Sequence, residues 1–137
     1  MKSLIEVCVV GSILICVAGA QESPQPALRK GVSVQMPTAD HVVEVREADA
    51  PDATVVAITA DGKLFAGTEP TEPSALSNLG AVTVYVKADS RVPFQKVLTV
   101  LDALRGKSVV LLAAPPPKNV EKTKTVPPYG IKVALSR

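Results

Sequence analysis

Residues Leu4 to Ala20 form an apolar run behind a positive start at Lys2, with a single carboxylate, Glu6, inside it. Such a run does not stay exposed in water, so the first twenty residues stand apart from whatever folds after them. Two readings fit it. A secretory signal needs a basic start, roughly 7–15 apolar residues and a small-x-small cleavage site, which Lys2, Val7 to Val17 and Ala18-Gly19-Ala20 supply. A membrane-spanning helix needs about 20 apolar residues to cross a core of ~30 Å, and a run of this length at about 1.5 Å per residue reaches ~25 Å. Length and the cleavage site lean towards removal, whereas Glu6 is out of place in a signal peptide. Residues 1–20 are thus a transmembrane helix or a signal peptide, and the chain beyond Gln21 faces outward.

Both cysteines, Cys8 and Cys16, fall inside this run, so the exported part has no thiol and its stability must come from packing. Ile15, directly before Cys16, argues against lipid attachment, since that signal wants a small residue there. The 137 residues, less the leader, make one domain of ordinary size with a single core. A net charge of +2 with scattered basic residues, and only Phe65, Tyr85, Phe94 and Tyr129 as aromatics, leaves no stacking platform for nucleic acid.

Gln21 to Lys30, with Pro24 and Pro26, reads as a linker. Val32, Val34 and Met36 alternate with Ser33 and Gln35 up to Pro37, which predicts a short strand, and Val43 and Val45 continue a weaker alternation. Asp49 to Asp52 reads as a loop. The β-branched run Thr54 to Ile58, the turn dipeptide Asp61-Gly62 and the run Lys63 to Ala66 predict an antiparallel hairpin. Gly67 to Pro73 reads as a loop, and Ser74 to Leu79 as a helical turn or two ended by Gly80.

Val82, Val84 and Val86, alternating with Thr83, Tyr85 and Lys87, predict a strand with one buried face. Asp89 and Ser90 before Val92-Pro93 look like a helix start, and Phe94, Val97, Leu98, Leu101 and Leu104 form the apolar stripe of an amphipathic helix closed by Gly106. Ser108 to Ala113 is an apolar strand. Beyond Pro115-Pro116-Pro117, the basic stretch Lys118 to Lys124 leads to a last alternation at Ile131, Val133 and Leu135 that could add an edge strand. The expectation is an α+β fold: a small mixed sheet with two helices on one face, preceded by the N-terminal transmembrane or signal helix. Its divisions are a leader (1–20), a linker (21–30), a domain (31–114) and a Pro/Lys-rich tail (115–137).

Catalytic groupings are sparse. His41 is the sole histidine and no cysteine follows the leader, so neither a Cys–His pair nor a metal-ligand cluster can be written, and no cofactor is expected. Asp61 and Asp89 could form an acid pair, but a turn residue and a helix cap explain them more simply. Gly62 and Gly67 lack the spacing and the lysine of a phosphate loop. These features argue against an enzyme. Glu6 remains the residue in an expensive position. A charge within a bilayer costs at least ~2.5 kcal/mol on insertion scales, so such a group is tolerated in a leader that is later destroyed, or is neutralised, paired or functional.

Several stretches together resemble the ExbD/TolR family of biopolymer-transport proteins. They are Gly31-Val32-Ser33-Val34-Gln35-Met36-Pro37-Thr38-Ala39, Ile58-Thr59-Ala60-Asp61-Gly62-Lys63-Leu64-Phe65-Ala66-Gly67, and most specifically Val84-Tyr85-Val86-Lys87-Ala88-Asp89-Ser90-Arg91-Val92-Pro93-Phe94 continuing through Val97 to Leu104. The resemblance covers most of Gly31 to Ala113. It reaches the leader as well, where Leu4-Ile5-Glu6-Val7 is similar to the acidic opening of the family's single transmembrane helix, with glutamate for aspartate.

The resemblance implies a single-pass inner-membrane protein with its domain in the periplasm, a non-enzymatic subunit of a proton-motive-force-dependent transport complex. It implies Glu6 as the proton-handling carboxylate. The implied partners are an ExbB/TolQ-like multi-span protein, a TonB/TolA-like energy transducer and further copies of the chain. The alternative is a soluble periplasmic protein-binding module released by cleavage of the leader. In both, sheet edges would serve as protein-binding surfaces through strand addition.

Overall fold

A run of five residues in which four are fully buried, Thr54–Ile58, seeds the sheet as β2. The computed structural model describes residues 30–116 and 127–135. Before β2 come a two-residue strand, β1 (Val43–Glu44), and a 3₁₀ turn, Arg46–Asp49, where the sequence reads as extended chain and loop. The Asp61-Gly62 turn forms as predicted: Gly62 takes φ +79° and its N–H donates to the Thr59 carbonyl at 2.8 Å. β3 (Leu64–Ala66) then pairs antiparallel with β2, Ile58 opposite Leu64 and Val56 opposite Ala66.

The predicted loop from Gly67 to Pro73 instead holds a further strand, β4 (Glu69–Thr71), antiparallel to β3 with Pro70 opposite Phe65. Gly67, at φ +64°, turns the chain back. Proline fits an outermost strand because its missing N–H can face solvent, so the composition that suggests a loop is compatible with an edge. A four-residue helix, α1 (Pro73–Leu76), comes next.

β5 (Thr83–Ala88) runs parallel to β2 on one side and to β6 (Ser108–Ala113) on the other, with α2 (Phe94–Ala103) as the crossover between β5 and β6. Among the described residues the mixed sheet has seven strands in the order β1-β7-β6-β5-β2-β3-β4, where β7 is Tyr129–Val133. Two expectations change here. β5 is buried on both faces from Val84 to Ala88 rather than on one, because it is the central strand. β7 is not the edge, since β1 pairs outside it, Val43 opposite Gly130. Gly130 is needed at that place: a Cβ there would lie 2.7 Å from Val110 Cγ1 and 2.9 Å from the Leu111 carbonyl oxygen.

Both helices cover the same face. Val56, Ile58, Val84, Val86, Ala88 and Val109 of the strands pack with Leu76 of α1, Val97, Val100 and Leu101 of α2, and Leu104 just beyond it. The second face, carrying Val55, Tyr85, Val110 and Leu112, is closed by Val45, Ala48, Met36 and Ala53. The described residues are therefore α+β, a mixed sheet with two helices on one face. Among the described residues no helix is long and apolar enough to cross a membrane. The leader with Glu6, the linker from Gln21 to Arg29 and the basic stretch Lys118 to Lys124 lie outside the described residues.

Candidate functional site

The predicted strand from Val32 to Met36 makes no ladder. It becomes a strap across the carboxyl ends of β5 and β6, although the alternation places side chains correctly: Val32, Val34 and Met36 are half-buried, while Ser33 and Gln35 are exposed. Ser90 N–H donates to the Gln35 carbonyl at 2.7 Å, Ala114 N–H to the Pro37 carbonyl at 2.9 Å, and Ala39 N–H to the Ala114 carbonyl at 3.1 Å.

Asp89 locks this strap. Its carboxylate, 4 % exposed, accepts the Gln35 N–H at 3.1 Å and the Arg91 N–H, Nε and Nη2 at 3.0, 2.8 and 3.0 Å. The Arg91 side chain, then the amides of Arg91 and Gln35, hold the carboxyl well below the usual carboxylate range against the opposing effect of burial. Asp89 is thus not a helix cap: α2 starts several residues later, behind Pro93, with no side-chain cap.

Lys87 lies beside it on the second face, 2 % exposed, and donates to the Lys30 carbonyl at 2.7 Å. Burial pushes its ammonium below the usual lysine value, with Asp49 acting weakly in the opposite sense. A base with a depressed native value weakens the fold while it is charged, so stability rises as pH climbs through that native value towards about 10.4, the unfolded one. Lys87→Met removes the buried charge and leaves the half-buried Lys30 carbonyl to water. Its urea midpoint at pH 7 is expected to rise, and the alkaline gain in stability to vanish; a loss of more than about 1 kcal/mol would show that the bond to Lys30 dominates.

The other sequence candidates disperse. Asp61 is a turn residue, accepting from the Thr59 hydroxyl and paired with Lys63 at 2.8 Å, and these two partners hold it down to about 2. Asp61 and Asp89 are each engaged by their own neighbours and form no acid pair, so neither offers a proton at neutral pH. His41 is exposed. Among the described residues no group of His, Cys, Asp or Glu could hold a metal ion. Gly62 and Gly67 both serve turns at positive φ. Glu6 lies outside the described residues.

A site that the sequence does not reveal lies on the helix face. A groove of about 610 Å³ runs between the β3–β4 hairpin and α2, lined among others by Ile58, Leu64, Phe65, Lys63, Lys96 and Thr99. Separate segments of the chain meet there, and no local pattern announces it.

The sheet edges differ from one another. β4 is three residues long and carries Pro70, devices that blunt an edge. On the far side β1 covers only Tyr129 and Gly130, so among the described residues Ile131 to Val133 of β7 has no outer partner, and Ile131 and Val43 are 43 % and 57 % exposed. Comparison with protein families, with characterised proteins and with solved structures finds no match for this chain.

Proposed function

We propose that the chain is a non-enzymatic subunit of a proton-motive-force-dependent biopolymer-transport complex of the ExbD/TolR type. It is a single-pass inner-membrane protein with the α+β domain in the periplasm, assembled with further copies of itself, an ExbB/TolQ-like multi-span protein and a TonB/TolA-like transducer. The observation that carries this reading is the stretch with the most specific resemblance, Val84 to Leu104, which forms the central strand, the Asp89 turn and the long helix as one continuous unit. Residues Ile131 to Val133 of β7, with no outer partner among the described residues, support protein binding by strand addition, and the blunted β4 edge directs that role away from the opposite side.

A second reading, a soluble periplasmic binding module that uses the same edge, is favoured by Ala18-Gly19-Ala20 at the end of the leader. Intact-mass measurement of the purified protein separates the two: the anchored reading requires retention of residues 1–20, and a mature terminus at Gln21 overturns it. With the anchor retained, Glu6→Gln is expected to abolish energy-dependent transport at unchanged protein level. Full transport in that variant would remove Glu6 from the proton path.

A further inference from the structure

We propose that Lys30 to Met36, the outer part of the strap, is a flap that leaves the sheet as a unit while the strands and both helices stay folded. The chain there is held at few points. None of its residues is fully buried, Val32 and Val34 belong to neither core cluster, and Met36 only borders the one on the second face. Among the described residues Gly31 to Val34 and Met36 make no backbone hydrogen bond. The main-chain ties lie at Gln35, which donates to Asp89 and accepts from Ser90, and at the Lys30 carbonyl, which accepts from Lys87.

Opening leaves the groups behind it satisfied. Asp89 keeps its bonds from the Arg91 N–H, Nε and Nη2 at 3.0, 2.8 and 3.0 Å after the Gln35 amide has gone, so its charge stays paired. The Lys30 ammonium gives up the Ala50 and Pro51 carbonyls, at 2.9 and 2.6 Å, for water, an exchange of small net cost. A segment with few apolar contacts and few hydrogen bonds opens at a lower free energy than the core does.

The two ends of the flap differ. At the hinge, Ala114 ties the chain twice, donating to the Pro37 carbonyl and accepting from Ala39. At the outer end Gly31, at φ +78°, sets the closed position: a Cβ there would stand 2.7 Å from the Gly67 carbonyl oxygen, so the closed flap has no room for a side chain. In sequence the flap lies between the linker and the first strand, so tension from the leader side reaches it before the sheet. In the anchored assembly proposed above, on which this consequence rests, opening lengthens the tether by up to about 23 Å, at ~3.3 Å per residue.

The test is native-state hydrogen exchange, read by NMR on the full-length ¹⁵N-labelled protein at low, increasing urea. After correction for intrinsic rates, the amides of Gln35 and Ser90 are expected to exchange at least about a hundredfold faster than those of Val84 and Val86 in β5. Their rates should depend little on urea, since a local opening exposes little surface. Gly31→Ala should speed exchange at Gln35 and Ser90 by about tenfold, the cost of holding a residue with a Cβ in the left-handed region. Exchange of Gln35 and Ser90 with the same free energy and urea dependence as Val84 and Val86 would overturn the proposal, and this measurement on the parent protein decides it even if the variant does not fold. Unchanged rates at Gln35 and Ser90 in a folded Gly31→Ala protein would overturn it too. These readouts involve neither retention of the leader nor transport, so their failure is distinguishable from a failure of the anchored reading.

Discussion

Asp89→Ala is expected to destabilise the protein by about 3 kcal/mol, seen as a lower urea midpoint in far-ultraviolet circular dichroism. The carboxylate satisfies the Gln35 and Arg91 amides and the Arg91 guanidinium at once. An amide left without a partner costs about 1–3 kcal/mol, and the largely exposed Arg91 side chain adds little, so the two amides dominate. Asp89→Asn keeps an acceptor oxygen and should lose less.

The two variants also separate by pH. A carboxyl held low in the native state gives stability that is complete above its unfolded value, about 3.9, and is lost as pH falls towards the native value. The parent protein should therefore weaken steeply below about pH 4. Asp89→Asn should show a shallower acid slope, and an unchanged slope would mean that other carboxylates control acid unfolding.

Leu104→Ala should cost about 2–5 kcal/mol, with an unchanged urea m-value. Leu104 has no exposed surface and sits where α2 ends, in the cluster that joins both helices to β2, β5 and β6. The neighbouring chain is fixed by the Leu104 N–H bonds to Val100 and Leu101 and by Gly106 at φ +85°, so the site has little freedom to collapse around a cavity. Against a typical total of about 5–15 kcal/mol, that loss removes a large part of the stability. A cost under about 1 kcal/mol would show that the helix end relaxes inward.

These two residues mark how far a sequence can be read. Periodicity alone places Leu104 and α2, whereas the β2–β3 hairpin, β5 and β6 are legible from their apolar or β-branched runs and the turn residues beside them. Asp89 is visible as a polar group before a helix, but its partner, Gln35, is remote in sequence, and a cap and a clasp look alike locally. The Val32 to Met36 alternation correctly indicates which side chains turn inward. It says nothing of backbone partners, which are a turn and a carboxylate rather than a neighbouring strand.

Lys87 is concealed because a lysine between Val86 and Ala88 ordinarily marks the solvent side of a strand, whereas here it is buried and donates to the Lys30 carbonyl. β4 is hidden by Pro70 and its acidic neighbours, which suit a loop and an outermost strand equally. The groove lies beyond the reach of local patterns, because Ile58, Lys63 and Lys96 converge only once α2 has crossed over the sheet.

The placement of β1 beside β7 sets the order of assembly. Among the described residues the earliest strand pairs with the latest, so during synthesis β1 lacks this partner until Tyr129–Val133 has left the ribosome. β2, β5 and β6 can already associate by then, with α2 closing the connection between β5 and β6. Joining the two termini of the domain is a long-range loop closure of the kind that slows folding, and it leaves the outer side of β6 open until the final step.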